Sequence, residues 1–158
     1  MPSIEYVTLC DHAEVNNGKL NMIGGGWAMA ARQVVTVLGS EPVPPPQVIP
    51  TRFAIAASIE YGWHEAGNVF TLDTAIVDQD ELHPPVWRGQ AQIMTGRPPG
   101  APLGSGFRAI LAFLVLVPFP TAGGYIVLTT VGGVSLPHKL PFHVVDQQVL
   151  GQAAPPQP

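Results

Sequence analysis

The stretch Tyr6-Val-Thr-Leu-Cys-Asp-His-Ala-Glu-Val-Asn-Asn-Gly-Lys-Leu-Asn-Met-Ile-Gly-Gly-Gly-Trp27 decides the fold. Asn17-Gly18 lies between two runs in which apolar and polar residues alternate. Both residues accept positive φ, which a two-residue type I′ turn requires at its two central positions. With that turn in place, Val15 opposes Leu20, Ala13 opposes Met22 and Asp11 opposes Gly24. The N-terminus is thereby committed to antiparallel β structure. Side chains along a strand alternate with period two. One face therefore collects Val7, Leu9, Asp11, Ala13, Val15, Leu20 and Met22, a core face with one acid in it. The other collects Tyr6, Thr8, Cys10, His12 and Glu14.

The pattern continues along the chain. Strands are expected near 4–15, 19–25, 51–61, 68–78, 86–96, 106–117, 123–131 and 135–145. Proline clusters separate them, at 42–50, Pro84-Pro85, Pro98-Pro99, Pro118 and Pro120. Eighteen prolines break helices but suit loops and strand edges. The stretch from Met29 to Gly39 reads equally as a strand or a short helix. Phe53, Ile55, Ala57, Ile59 and Tyr61 point one way, as do Phe70, Leu72 and Ile76. The run Phe107 to Val117 is apolar on both faces, with Ile110, Ala112, Leu114 and Leu116 forming the second face. A strand of that kind is expected to be covered on both faces. The expected fold is an all-β antiparallel sandwich of about eight strands, immunoglobulin-like or jelly-roll-like. It spans residues 1–147 as one domain, with a Pro/Gln-rich tail at 148–158.

Composition narrows the function. Charged residues make up 11% of the chain, where about 25% is usual. The net charge is -4, and Lys19 and Lys139 are the two lysines, so the basic stripe of a nucleic-acid binder is missing. One cysteine, Cys10, excludes an internal disulfide. No charged segment followed by an apolar one opens the chain, so no signal peptide is expected. The longest apolar run, Ala109 to Phe119, is broken by Pro118 and falls well short of the roughly 20 residues of a membrane helix. These features together predict a soluble, cytoplasmic protein.

Leu9-Cys10-Asp11, Gly18-Lys19-Leu20 and Ile23-Gly24-Gly25-Gly26-Trp27 together resemble a bacterial family known only as a domain of unknown function, with a "CD…GGKL…IGGGW"-like opening. The resemblance continues at Trp63-His-Glu-Ala-Gly67, Val77-Asp-Gln-Asp80, Gly96-Arg-Pro-Pro-Gly100 and Gly124-Tyr125. It implies a small β-sandwich and no assigned activity. Where such sandwiches often carry Asp-x-Asp-Gly at a hairpin tip, this chain has Asp78-Gln-Asp80-Glu81, a departure that bears on the turn there. The last hairpin, from Gly124-Tyr125 to Phe142-His-Val-Val145, is similar to that of immunoglobulin-like modules at the level of fold alone.

Few residues invite chemistry. Cys10 and His12 share a strand face about 7 Å apart, but a Cys–His pair needs hydrogen-bond contact and an orienting group. The plainer reading is a buried thiol acting as a small hydrophobe. Asp11 on a core face needs a partner: the backbone N–H groups of 24–26, Arg97, or a bulge that turns it outward. All three are structural roles. Asp73, Asp78, Asp80 and Glu81 offer four carboxylates in one hairpin, with no second acidic loop to complete the six to eight oxygen ligands Ca²⁺ takes, and read more simply as a solvated tip. His12, His64, His83, His138 and His143 lack metal-ligand spacing. Gly96-Arg-Pro-Pro-Gly100 lacks the ending of a phosphate loop.

No catalytic, cofactor-binding or metal-binding residue is therefore assigned. The sequence reads as a non-enzymatic module working through protein contacts, a subunit of a homo-oligomer or larger assembly. Its expected interface is Ile110, Ala112, Leu114 and Leu116, and its partner is protein. The alternative is a small-molecule or carbohydrate-binding sandwich that stacks ligand on Trp27, Trp63 and Trp87.

Overall fold

A computed structural model describes residues 1–38, 45–132 and 136–152. The chain forms β1 (Ser3–Cys10), β2 (His12–Asn16), β3 (Lys19–Ile23), β4 (Met29–Leu38), β5 (Gln47–Ile49), β6 (Thr51–Tyr61), β7 (Val69–Asp78), β8 (Trp87–Met94), β9 (Phe107–Val117), β10 (Gly123–Val131) and β11 (His138–Gln152). A 3-10 turn, Trp63–Glu65, follows β6. Among the described residues no helix is long and apolar enough to cross a membrane. The expected β-class is correct. The expected count of about eight strands is too low, because eleven form among the described residues.

The strands build a three-stranded sheet in the order β1-β6-β9, a six-stranded sheet in the order β5-β4-β11-β10-β7-β8, and the separate hairpin β2-β3. The main core lies between the two larger sheets. Val7, Leu9, Phe53, Ile55, Ala57, Ile59, Val115 and Val117 come from the first. Leu72, Ile76, Tyr125, Val127, Phe142 and Val144 come from the second. Phe53, Phe119, Tyr125 and Phe142 form its aromatic centre, with ring centroids 4.9 to 6.4 Å apart. Such contacts add to simple burial. The Tyr125 hydroxyl donates to the Thr121 carbonyl at 2.9 Å and closes the corner entering β10.

The faces of β6 and β7 follow the alternation read from sequence, and Phe53 to Tyr61 are buried at every odd position. The stretch 29–38 resolves as strand β4, pairing in parallel with the second half of β11 from His143↔Met29 to Gln152↔Leu38. The sheet is therefore mixed, which corrects the antiparallel expectation. Strand β11 also continues past the expected domain boundary at 147, as far as Gln152. The rest of the expected tail, 153–158, and residues 39–44, which include the start of the proline-rich segment, lie outside the described residues.

The opening run does not form one strand. It breaks at Asp11, and its halves join different sheets. The break is held by the glycine corner: Gly26 N–H donates to the Leu9 carbonyl at 2.8 Å, and Asp11 N–H donates to the Ile23 carbonyl at 3.1 Å. Asp11 is consequently exposed at a bend and does not face the core. Of the three roles considered for it, turning outward is nearest, although a break between strands does this rather than a bulge within one. Its carboxylate lies against Gly24, where no Cβ would fit. Beyond the break the turn is as expected. Asn17 and Gly18 have φ of 50° and 71°, and Val15↔Leu20 and Ala13↔Met22 are paired.

Candidate functional site

The outward face of the β1-β6-β9 sheet gathers the unusual residues. Small side chains come first. Cys10, Ala54 and Ala56 are fully buried there, beneath Ala13 and Leu20 of the β2-β3 hairpin. Because nothing larger than a thiol projects from these positions, the hairpin lies directly on the sheet. The Cys10 thiol donates to the Ala54 carbonyl at 3.5 Å. Burial, together with the Asp11 charge, pushes the Cys10 thiol pKa up. A reactive cysteine needs a thiolate, which this setting disfavours. His12 is exposed on β2, beyond the break, so the shared face of one continuous strand does not exist.

A polar row runs beside the hairpin. A register shift between Ile4 and Tyr6 makes Glu5 the extra residue of β1. Its carboxylate accepts from the buried Ser58 hydroxyl at 2.8 Å and pairs with Arg108 at 2.5 Å. Arg108 also reaches Glu60 at 3.3 Å. Sequence reading missed this row, because the bulge arises from pairing with β6. The one local signal is Ser58 and Glu60 interrupting the apolar run of β6. A recess of about 720 Å³, lined by Ser3, Glu60, Tyr61, Phe107 and Arg108 among others, opens at this end of the sheet.

From Ile110 to Leu116 the β9 side of the face is apolar, with the exposed Arg52 of β6 opposite Leu116. Ile110 and Ala112 are half-buried, whereas Leu114 and Leu116 are 58% and 60% exposed. Among the described residues, the expectation that β9 is covered on both faces therefore fails at these two leucines. Strand β4 cannot cover them, because it belongs to the six-stranded sheet.

The three tryptophans are not brought together. Trp27 packs edge-on against Phe53 at 5.5 Å and Phe142 at 6.3 Å, at the margin of the main core. Trp63 lies beside Phe107, with the Arg97 guanidinium 4.6 Å from the ring centroid. Arg97 also donates to the Trp63 carbonyl, so it does not serve Asp11. Trp87 is on strand β8, edge-on to Phe113 and folded over Gly89.

The hairpin acids are engaged singly. Gln90 donates to Asp73 at 2.8 Å, and Lys139 pairs with Glu81. Asp78 accepts from the His83 backbone and pairs with its ring at 2.9 Å. That side-chain bond holds the Asp78 carboxyl below its ordinary pKa. Asp80 is exposed, and Glu81 supplies the positive φ, 54°, that the departure from Asp-x-Asp-Gly demands of a non-glycine residue. Among the described residues no three His, Cys, Asp or Glu side chains are grouped to hold a metal ion.

No curated protein matches the chain. A family model does, across residues 5–145, which include most of both large sheets, the hairpin and the outward face just described. The chain belongs to the family of unknown function DUF6941.

Proposed function

We propose that this protein is a non-enzymatic β-sandwich module of the cytoplasm that acts through protein contacts, as a subunit of a homo-oligomer whose interface includes the outward face of β9. The observation that carries the reading is the pair Leu114 and Leu116, exposed side by side on a face where Ile110 and Ala112 are half-buried and Cys10, Ala54 and Ala56 are covered. Contiguous exposed apolar surface marks interaction sites. The low charge of the chain, 11%, supports the same reading, since a soluble monomer ordinarily carries more. The buried, protonated setting of Cys10 supports a non-catalytic role. Two facing sheets and the Tyr125 corner support a sandwich of immunoglobulin-like kind.

The tryptophan-stacking alternative has weaker support, because Trp27 packs inward and one face of Trp63 is taken by Arg97. The test is sedimentation velocity on the wild type and on the Leu114→Glu/Leu116→Glu variant. Assembly of the wild type at micromolar concentration and dissociation of the folded variant support the reading. A monomeric wild type overturns it.

A further inference from the structure

The margin of the core is open where the glycine corner meets the first residues of β4 and β6. A cavity of about 420 Å³ lies there, a volume that suits a small molecule. Its floor is Ala30 and Phe53, both buried in the main core, and the partly buried Trp27 forms a wall. Strand β4 begins Met29-Ala30-Ala31, and the two alanines lining the cavity put methyl groups where larger side chains would fill it. The Thr51 hydroxyl donates to the Ala31 carbonyl at 3.1 Å and ties the two sheets together beside it.

The rim is charged. Asp11 and Arg52 both line the cavity, and both are exposed. Other charges of the chain are engaged: Arg108 with Glu5 and Glu60, Arg32 with Asp146, and Lys139 with Glu81. Among the described residues neither Asp11 nor Arg52 has an ion-pair partner, and the two do not pair with each other. An anion and a cation that share one cavity without neutralising each other offer two opposite charges to whatever enters.

A third group is unmet. The Trp27 indole N–H is buried and has no acceptor among the described residues. A buried donor without a partner is costly and uncommon. Edge-on contacts with Phe53 and Phe142 fix the ring in this position.

We infer that this cavity binds a small zwitterion of the amino-acid class, with its cationic group on Asp11, its anionic group on Arg52 and its apolar body over Ala30, Phe53 and Met29. A purely anionic ligand would meet the Asp11 charge, and a purely cationic one the Arg52 charge. A ligand that carries both signs satisfies both residues. The apolar floor selects an apolar body between them. An anionic oxygen seated against the Trp27 wall also gives the indole N–H its acceptor.

L-Leucine is the probe, followed by NMR through the indole N–H resonances. Trp27→Phe, Trp63→Phe and Trp87→Phe assign the three signals, and any two of them suffice. The Trp27 resonance of the wild type is expected to shift saturably at millimolar leucine, while those of Trp63 and Trp87 stay in place. N-acetyl-L-leucine lacks the cation and L-leucinamide lacks the anion. Each should bind about tenfold more weakly, the effect of one lost hydrogen bond to a charged group. Asp11→Asn should erase the preference for leucine over N-acetyl-leucine and keep that over leucinamide, and Arg52→Gln should do the reverse. Both replace exposed side chains, so both should fold. No saturable shift, a shift shared by all three tryptophans, or equal binding of the three compounds would overturn the inference. So would preferences that survive both substitutions. Sedimentation reads the β9 contact separately, and leucine binding by a monomeric wild type would uphold this site while that contact fails.

Discussion

The inward and outward faces of the β1-β6-β9 sheet are made by the same three strands and follow the same alternation, yet they end differently. The inward face carries Phe53, Ile55, Val115 and Val117, none more than 1% exposed, because a whole second sheet lies over it. Among the described residues, the outward face has a hairpin of two five-residue strands to cover it. Under the hairpin it uses Cys10, Ala54 and Ala56, residues small enough for close approach. On β9, where Leu114 pairs with Ala54, it leaves Leu114 and Leu116 exposed. Leu114 and Val115 are chain neighbours of similar hydrophobicity, and their burial is 58% against 0% exposed. Alternation assigns a residue to a face. What covers that face is decided by tertiary structure.

The largest effect should come from the inward face. Phe53→Ala removes a ring that touches Trp27, Phe119 and Phe142, and should cost about 3–5 kcal/mol in chemical denaturation. A loss under 1 kcal/mol would mean that the two faces are less unequal than their packing shows. The cover of the outward face comes next. Gly18→Val forces a β-branched residue into φ of 71° and should destabilise by at least about 1 kcal/mol. It should also raise amide exchange in β2 and β3 more than in β6. Equal exchange in all three strands would show that the hairpin does not loosen alone.

How much of this was legible in the sequence follows from the same distinction. The turn at Asn17-Gly18, the Val15↔Leu20 register and β6 at 51–61 were all readable, since each rests on local alternation or turn chemistry. So was the double apolar character of β9, the basis of the candidate interface. The break at Asp11 was not, because it depends on Gly26 meeting Leu9 across the corner. Nor was β4, whose hydrogen-bonding partner begins 114 residues later, at His143. Trp27 looked like a loop residue among glycines, and its packing against Phe53 depends on where the corner sets it down.

Smaller effects sharpen the account. Cys10→Ala should cost about 1 kcal/mol or a little more, as the loss of a small buried group, and should leave association unchanged. Loss of the protein's cellular role in a folded Cys10→Ser variant would instead favour a nucleophile. The smallest effect lies in the β7-β8 loop. The His83 bond lowers the Asp78 pKa in the folded state, so its stabilisation is present above the ordinary carboxylate value and is lost as pH falls through the depressed one. Asp78→Asn should therefore cost a little stability at neutral pH, and that cost should vanish in acid, which flattens the acid limb of the stability profile. A loss as large in acid as at neutral pH would contradict that assignment.

The central claim is that the open leucines of β9 are a contact surface, and sedimentation velocity at micromolar concentration tests it most directly. Leu114→Glu/Leu116→Glu alters exposed positions, so its thermal midpoint should stay close to that of the wild type. The account predicts an assembled wild type and a variant that has lost the β9 contact while remaining folded. A wild type that sediments as a monomer, or a variant that sediments identically to an assembled wild type, would contradict it.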